Sequence, residues 1–174
     1  RWNHLFNDKL FSNLSLIYSD YYYGLKLDFI GFNWDSGIKN YNLKYDFKHY
    51  LSSNIKLNYG FNTTYYDFNP GTIEPSKPDS SINFRQLDRK YAFEPALYLE
   101  AEQKITNKLA INYGFRYSMF YRLGNSTVNL YANNQPVNYD SDLKIYEKAI
   151  PIGTTFYGKN KTIASFDNFE PRFS

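Results

Sequence analysis

The stretch Tyr41-Asn42-Leu43-Lys44-Tyr45-Asp46-Phe47-Lys48 places an aromatic or aliphatic residue at every odd position and a polar or charged one at every even position. Successive side chains of a β-strand point to opposite faces. One face of this strand therefore meets something apolar, and the other meets water or charge. The same period runs through Ile55, Leu57, Tyr59, Phe61, Thr63 and Tyr65, with Lys56, Asn58, Gly60, Asn62 and Thr64 between them. It returns in Tyr91, Phe93, Pro95, Leu97, Leu99 and Ala101, and again from Leu109 through Ile111, Tyr113, Phe115, Tyr117 and Met119 to Tyr121. A succession of such strands rich in Tyr and Phe fits a barrel wall with lipid outside and water inside.

Composition fits such a wall and equally a Tyr-rich soluble β-protein, because aromatic residues also favour strands. The chain has 174 residues, of which 19 are Tyr, 15 Phe and 2 Trp. Mean hydropathy is only −0.61, although 43% of the residues are hydrophobic. Soluble cores lean on Leu, Val, Ile and Ala, whereas tyrosine, with an apolar ring and a polar tip, suits a membrane–water boundary. The 20 basic and 17 acidic residues are scattered, and no Lys/Arg run marks a nucleic-acid surface. The absence of cysteine rules out disulfides and thiolate metal sites. His4 and His49 stand far apart, without metal-ligand spacing. No metal, cofactor or enzymatic activity is expected. Glu94, Glu100 and Glu102 share a strand face and read as hydrated wall charges, not acid–base catalysts.

The turns predict the topology. Asn7–Lys9, Leu51–Asn54 and Thr106–Lys108 read as short connections. Those at about 31–37, 69–87 and 124–168 read as longer ones; prolines 70, 75 and 78 argue against regular pairing in the second, and the third offers a short hairpin of its own, with Val128, Leu130 and Tyr131 ahead of the turn-like Asn133-Asn134-Gln135-Pro136. Strict alternation of short and long puts all short turns at one end of an up-and-down antiparallel wall, as in outer-membrane barrels. A phase slip near Asp20–Tyr22, where the apolar residues pass from even to odd positions, predicts a β-bulge. The expected register pairs Phe47 with Ile55, Tyr45 with Leu57 and Leu43 with Tyr59, and sets Arg116 diagonal to Glu100 and Arg122 diagonal to Glu94. The loop aromatics Trp34, Tyr131, Tyr139 and Tyr157 are the candidate ligand contacts.

The run Lys9-Leu10-Phe11-Ser12-Asn13-Leu14-Ser15-Leu16-Ile17-Tyr18-Ser19 resembles a barrel strand of the TonB-dependent outer-membrane receptors of the Bacteroidota type. So does Phe169-Glu170-Pro171-Arg172-Phe173-Ser174, where a long loop re-enters the wall. The resemblance implies a barrel of about 22 strands around a plug, importing an iron chelate, a cobalamin or a glycan through contact with TonB. The expected fold is thus all-β: residues 1–174 form one partial domain, an antiparallel up-and-down transmembrane barrel wall of about six or seven strands, with no plug of its own. Arg1-Trp2-Asn3-His4 and the final hexapeptide both read as mid-strand, so the chain is expected to be an internal piece of that barrel. The expected partners are outer-membrane lipid, the rest of the barrel with its plug, and TonB by way of the plug; nucleic acid is not among them. The expected location is the bacterial outer membrane. Two other readings stand beside this one: a small complete outer-membrane barrel acting as an adhesin or stability protein, and a soluble sugar-binding β-sandwich.

Overall fold

The computed structural model describes residues 1–78 and 80–174 and is almost wholly antiparallel strand. In chain order the strands are β1 (Trp2–Asn7), β2 (Leu10–Leu27), β3 (Phe32–Tyr50), β4 (Ile55–Pro75), β5 (Arg85–Gln86) and β6 (Lys90–Thr106). They continue with β7 (Leu109–Leu123), β8 (Ser126–Leu130), β9 (Val137–Asp140), β10 (Ile145–Lys148), β11 (Gly153–Tyr157) and β12 (Thr162–Phe173). One sheet runs β1-β2-β3-β4-β6-β7-β12, with β5 paired beside the end of β4. It is up-and-down, as the sequence predicts, and it is not closed: β1 and β12 are its two edges.

Partners in the ladder share a face. Tyr41, Leu43, Tyr45 and Phe47 lie beside Tyr18, Leu16, Leu14 and Ser12 of β2 and beside Tyr65, Thr63, Phe61 and Tyr59 of β4. The rows continue across β6 through Phe93, Pro95, Leu97 and Leu99, and onto β7 through Tyr121, Tyr117 and Phe115. We term this apolar surface face A. Face B carries Asn42, Lys44, Asp46, Asn62, Tyr98, Arg116 and Glu170. Among the described residues, the strands contact one another side by side, and no element packs broadly over either face. The accessible surface is 12634 Å², against about 8,900 Å² for a compact domain of this mass.

The structure corrects several expectations. The β3–β4 ladder pairs Phe47 with Tyr59 and Tyr45 with Phe61. The predicted face is kept, but the register differs by four residues. The Ser52 hydroxyl explains the shift. It accepts hydrogen bonds from the Asn54 and Ile55 amides, both 3.2 Å away, and so sets the turn further along the chain. No bulge occurs near Asp20: β2 pairs with β3 without a break from Leu10–His49 to Leu27–Phe32. The connection after β2 is only Asp28–Gly31, closed by Gly31 at φ +66°, so Phe32–Gly37 is strand and not loop. Strict alternation of short and long turns therefore fails here.

Prolines shape two further places. β4 continues through Pro70 and Gly71, where one extra residue is accommodated between the Asp35–Thr72 and Gly37–Asn69 pairs. A bulge is one of the few sheet positions that tolerate proline. In central β6, the ladder to β7 skips from Phe93–Tyr121 to Ala96–Ser118, while the ladder to β4 runs on through Pro95. The missing proline N–H thus leaves its gap on the β7 side.

Of residues 124–168, read from sequence as a long polar loop, Ser126–Tyr157 form a stepped ribbon and Thr162–Asn168 already belong to β12. β8 pairs with β11, and β9 pairs with β10, extending the β7–β12 hairpin outward. The Asn133–Pro136 segment lies between β8 and β9, at a single 3-10 turn with Asn133 and Asn134 at positive φ, and is not the hairpin tip. The tip follows Asp140, whose carboxylate accepts the Asp142 and Leu143 amides at 2.8 and 2.9 Å.

Candidate functional site

Face A ends in a row of tyrosines followed by a row of charges. Tyr18, Tyr41 and Tyr65 share a ladder row, and Tyr91 on β6 joins them diagonally from its place opposite Asp67; the successive ring centroids are 5.2, 6.4 and 6.3 Å apart. Two residues further toward the long-loop end, Lys39 lies 3.2 Å from Asp20. Asp67 takes both carboxylate oxygens to Arg89, at 2.9 and 3.0 Å. The Tyr18 hydroxyl donates to Asp20 at 2.9 Å and ties the two rows together.

Beyond these ion pairs the sheet changes polarity. Because the β2–β3 ladder is unbroken, Tyr21, Tyr23 and Leu25 fall on face B, beside Ile38, Ser36 and Trp34. Phe68 and Ile73 of β4 join them. The Tyr23 ring meets Trp34 edge-on at 5.3 Å and Tyr21 at 5.8 Å. Face A now carries the polar groups: Tyr22 donates to Asp35 there, and Lys26, Asn33 and Glu74 lie beyond. The change of phase at Asp20–Tyr22 thus marks an inversion of faces within one straight ladder.

Below the inversion, face B is a mosaic of paired charges and amides. Asn42 donates to Asn62 and to Thr64, both at 2.8 Å, and Tyr66 donates to Glu94 at 2.8 Å. Tyr98 lies across Gly60, and its hydroxyl donates to Asp46, which also pairs with Lys44 at 3.1 Å. Arg116 and Arg172 flank Glu170, which accepts from the Ser118 hydroxyl at 2.8 Å. Lys44, Tyr98, Glu100, Arg116 and Arg172 line a depression of about 290 Å³. The predicted diagonals hold in register, since Arg116 opposes Tyr98 and Arg122 opposes Ala92. The ionic partners differ: Arg116 turns to Glu170 on β12, and Glu94 takes Tyr66.

The four aromatics proposed from sequence are not brought together. Trp34 is on β3, with β4, β6 and β7 between it and the ribbon. Tyr131 borders the 3-10 turn, Tyr139 packs on Tyr146 with ring centroids 5.1 Å apart, and Tyr157 pairs with Ser126. Only Trp34 stands in an aromatic cluster of the sheet. Its partner Tyr23, and Tyr21 next to that ring, were missed because the phase change was read as a β-bulge. His4 lies between the Trp2 and Phe6 rings. Among the described residues, no group of three or more His, Asp or Glu side chains could hold a metal ion. No protein-family model, no curated protein and no solved structure matches the chain.

Proposed function

We propose that this chain is part of the wall of an outer-membrane β-barrel, that of a TonB-dependent receptor importing a large ligand such as an iron chelate, a cobalamin or a glycan. The observation that carries the reading is the bounded apolar band of face A. On β4 it runs from Ile55 to Tyr65 and stops at Asp67. That length is about 34 Å along a strand, or about 26 Å of height at the usual tilt of about 40°, which matches the apolar belt of outer-membrane barrels. Tyrosines at its border and ion pairs beyond fit a lipid–water boundary.

Three further features support the receptor type. Strands of 15 to 21 residues (β2, β3, β4, β6, β7) exceed the roughly 9–11 that a bilayer crossing needs, so they project beyond it. The paired charges of face B suit a hydrated interior that holds a plug. The two open edges call for further strands, because an uncovered edge leaves its backbone groups unpaired. On this reading the partners are outer-membrane lipid, the remaining barrel and plug, and TonB through the plug. The role is transport and not catalysis.

The chain contains no cysteine, so single cysteines along Tyr41–Lys48 test the reading directly in outer-membrane preparations, with the unsubstituted protein as blank. Leu43→Cys, Tyr45→Cys and Phe47→Cys should react with a lipid-soluble maleimide and resist a water-soluble one until the membrane is dissolved. Lys44→Cys and Asp46→Cys should show the opposite preference. Equal labelling of the two sets by the water-soluble reagent would rule out lipid contact at face A.

A further inference from the structure

The ladder between β7 and β12 fixes what the outer edge of β12 can accept. Asn112 and Ser174 exchange both backbone bonds, at 2.8 and 2.9 Å. In an antiparallel pair such doubly bonded positions recur at every second residue. The ladder is regular from Ala164 to Phe173. Arg172, Glu170, Asn168 and Phe166 therefore turn their backbone groups to β7, while Phe173, Pro171, Phe169, Asp167 and Ser165 turn theirs outward. Pro171 has no N–H to offer, so the edge carries a carbonyl without a donor at that position.

The side chains of these outward residues lie on face A. Phe173, Pro171 and Phe169 continue its apolar rows beside Tyr113, Phe115 and Tyr117. Asp167 breaks them. It lies beside Met119, whereas the apolar row of β7 runs on to Tyr121, opposite Ser165. Asp167 is the only charged residue that β6, β7 and β12 place on face A. The Tyr117 hydroxyl donates to one of its oxygens at 3.0 Å, and it forms no ion pair among the described residues. A charge on a lipid-facing wall is unfavourable without a partner, and so is a bare row of backbone groups. A single occupant answers both: an antiparallel strand with a basic residue opposite Asp167. Opposed residues of such a pair share a face, with Cα atoms about 5.5 Å apart. β1 does not fit this place. The sheet path has seven strands, each antiparallel to the next, so β1 runs in the same direction as β12. A second copy set upright in the same membrane has the same fault at both of its edges.

We infer that the outer edge of β12 is the seat of an antiparallel strand that carries a Lys or Arg opposite Asp167 and apolar residues opposite Phe169 and Phe173. The spacing on β12 sets the spacing on that strand. Its apolar residues stand six and two positions before the basic one, and the residue four before it faces Pro171. This inference rests on the barrel reading for the cost of the uncovered charge. The pairing pattern rests on backbone geometry alone.

The test is photochemical capture in outer-membrane preparations, with benzoylphenylalanine in place of the exposed Phe169 and the captured peptide sequenced by mass spectrometry. The expected product joins Phe169 to an alternating strand that has Lys or Arg two residues after the attached position. Asp167→Lys sets like charges opposite each other and should lower the yield by up to about fivefold, with the heat-modifiable form on gels as the check of folding. Asp167→Asn, which keeps the shape, should lower it less. Lipid adducts alone, a peptide without a basic residue at that spacing, capture of β1, or an unchanged yield in Asp167→Lys would each overturn the proposal. Cysteine labelling along Tyr41–Lys48 reports separately on the barrel. Free aqueous labelling there, with the strand still captured at Phe169, would remove the membrane and keep the covering strand. A shielded face A with lipid adducts alone would keep the wall and remove the strand.

Discussion

Gly60 is the residue whose smallness the wall most depends on. A Cβ there would run into the Tyr45 carbonyl oxygen and the Tyr98 hydroxyl. The first is backbone of the neighbouring strand and cannot swing aside. The second is the ring that crosses Gly60 to reach Asp46. Gly60→Ala should therefore destabilise the fold by about 1–3 kcal/mol through overpacking, measured as a lower urea midpoint for the heat-modifiable form on gels. Tyr98→Phe together with Gly60→Ala should recover part of that loss, since it removes one of the two collisions. If Gly60→Ala unfolds like the wild type, the close packing of Tyr98 over β4 is not what holds this region together. Pro95 is the contrasting case. Its missing N–H interrupts only the β6–β7 ladder, and its ring still joins the apolar row beside Thr63.

At the scale of elements, the turns at one end share a device. A side-chain oxygen of the departing strand or turn captures the next amides: Asn7 accepts from Lys9 and Leu10, Ser52 from Asn54 and Ile55, and Thr106 from Lys108. Ser52→Ala should speed hydrogen exchange at the Asn54 and Ile55 amides about fivefold, for a loss near 1 kcal/mol. An unchanged exchange rate would mean that the β3–β4 ladder alone sets the register. This device also explains what the sequence could tell. The faces of Tyr41–Lys48 were legible because alternation is local. The register was not, because a shift by any even number keeps apolar against apolar, and a single serine hydroxyl decided it. The phase change at Asp20–Tyr22 was visible in the string but ambiguous. A bulged strand and a straight strand whose apolar face inverts give the same letters, and only the unbroken pairing with β3 tells them apart. For the same reason the aromatic cluster around Trp34 could not be assembled from sequence, although Trp34 itself was picked out. The ribbon beyond Gly124 was read only as a single short hairpin with its tip misplaced, because its strands are four or five residues long, too short for a period to stand out.

For the molecule as a whole, the decisive quantity is surface left uncovered. Its accessible area exceeds that of a compact domain of equal mass by about 3,700 Å², and face A contributes exposed Leu16, Tyr18, Tyr41 and Leu97 on β2, β3 and β6, the kind of contiguous apolar surface that soluble monomers keep small. The 174-residue chain should accordingly aggregate in buffer and disperse in detergent. A monodisperse species by size-exclusion chromatography without detergent would show that something other than lipid covers face A.

The ion pairs Asp20–Lys39 and Asp67–Arg89 have one more consequence within a bilayer. A slide of two residues along the strand axis would carry four charges about 7 Å toward the hydrocarbon. The cost for each basic side chain climbs from near nothing at the boundary to about 2–4 kcal/mol at mid-depth. The tyrosines beneath would at the same time lose their place at the water line. On the proposed barrel reading the two pairs would act as a depth stop, limiting vertical play of the wall and keeping the tyrosine row at the water line.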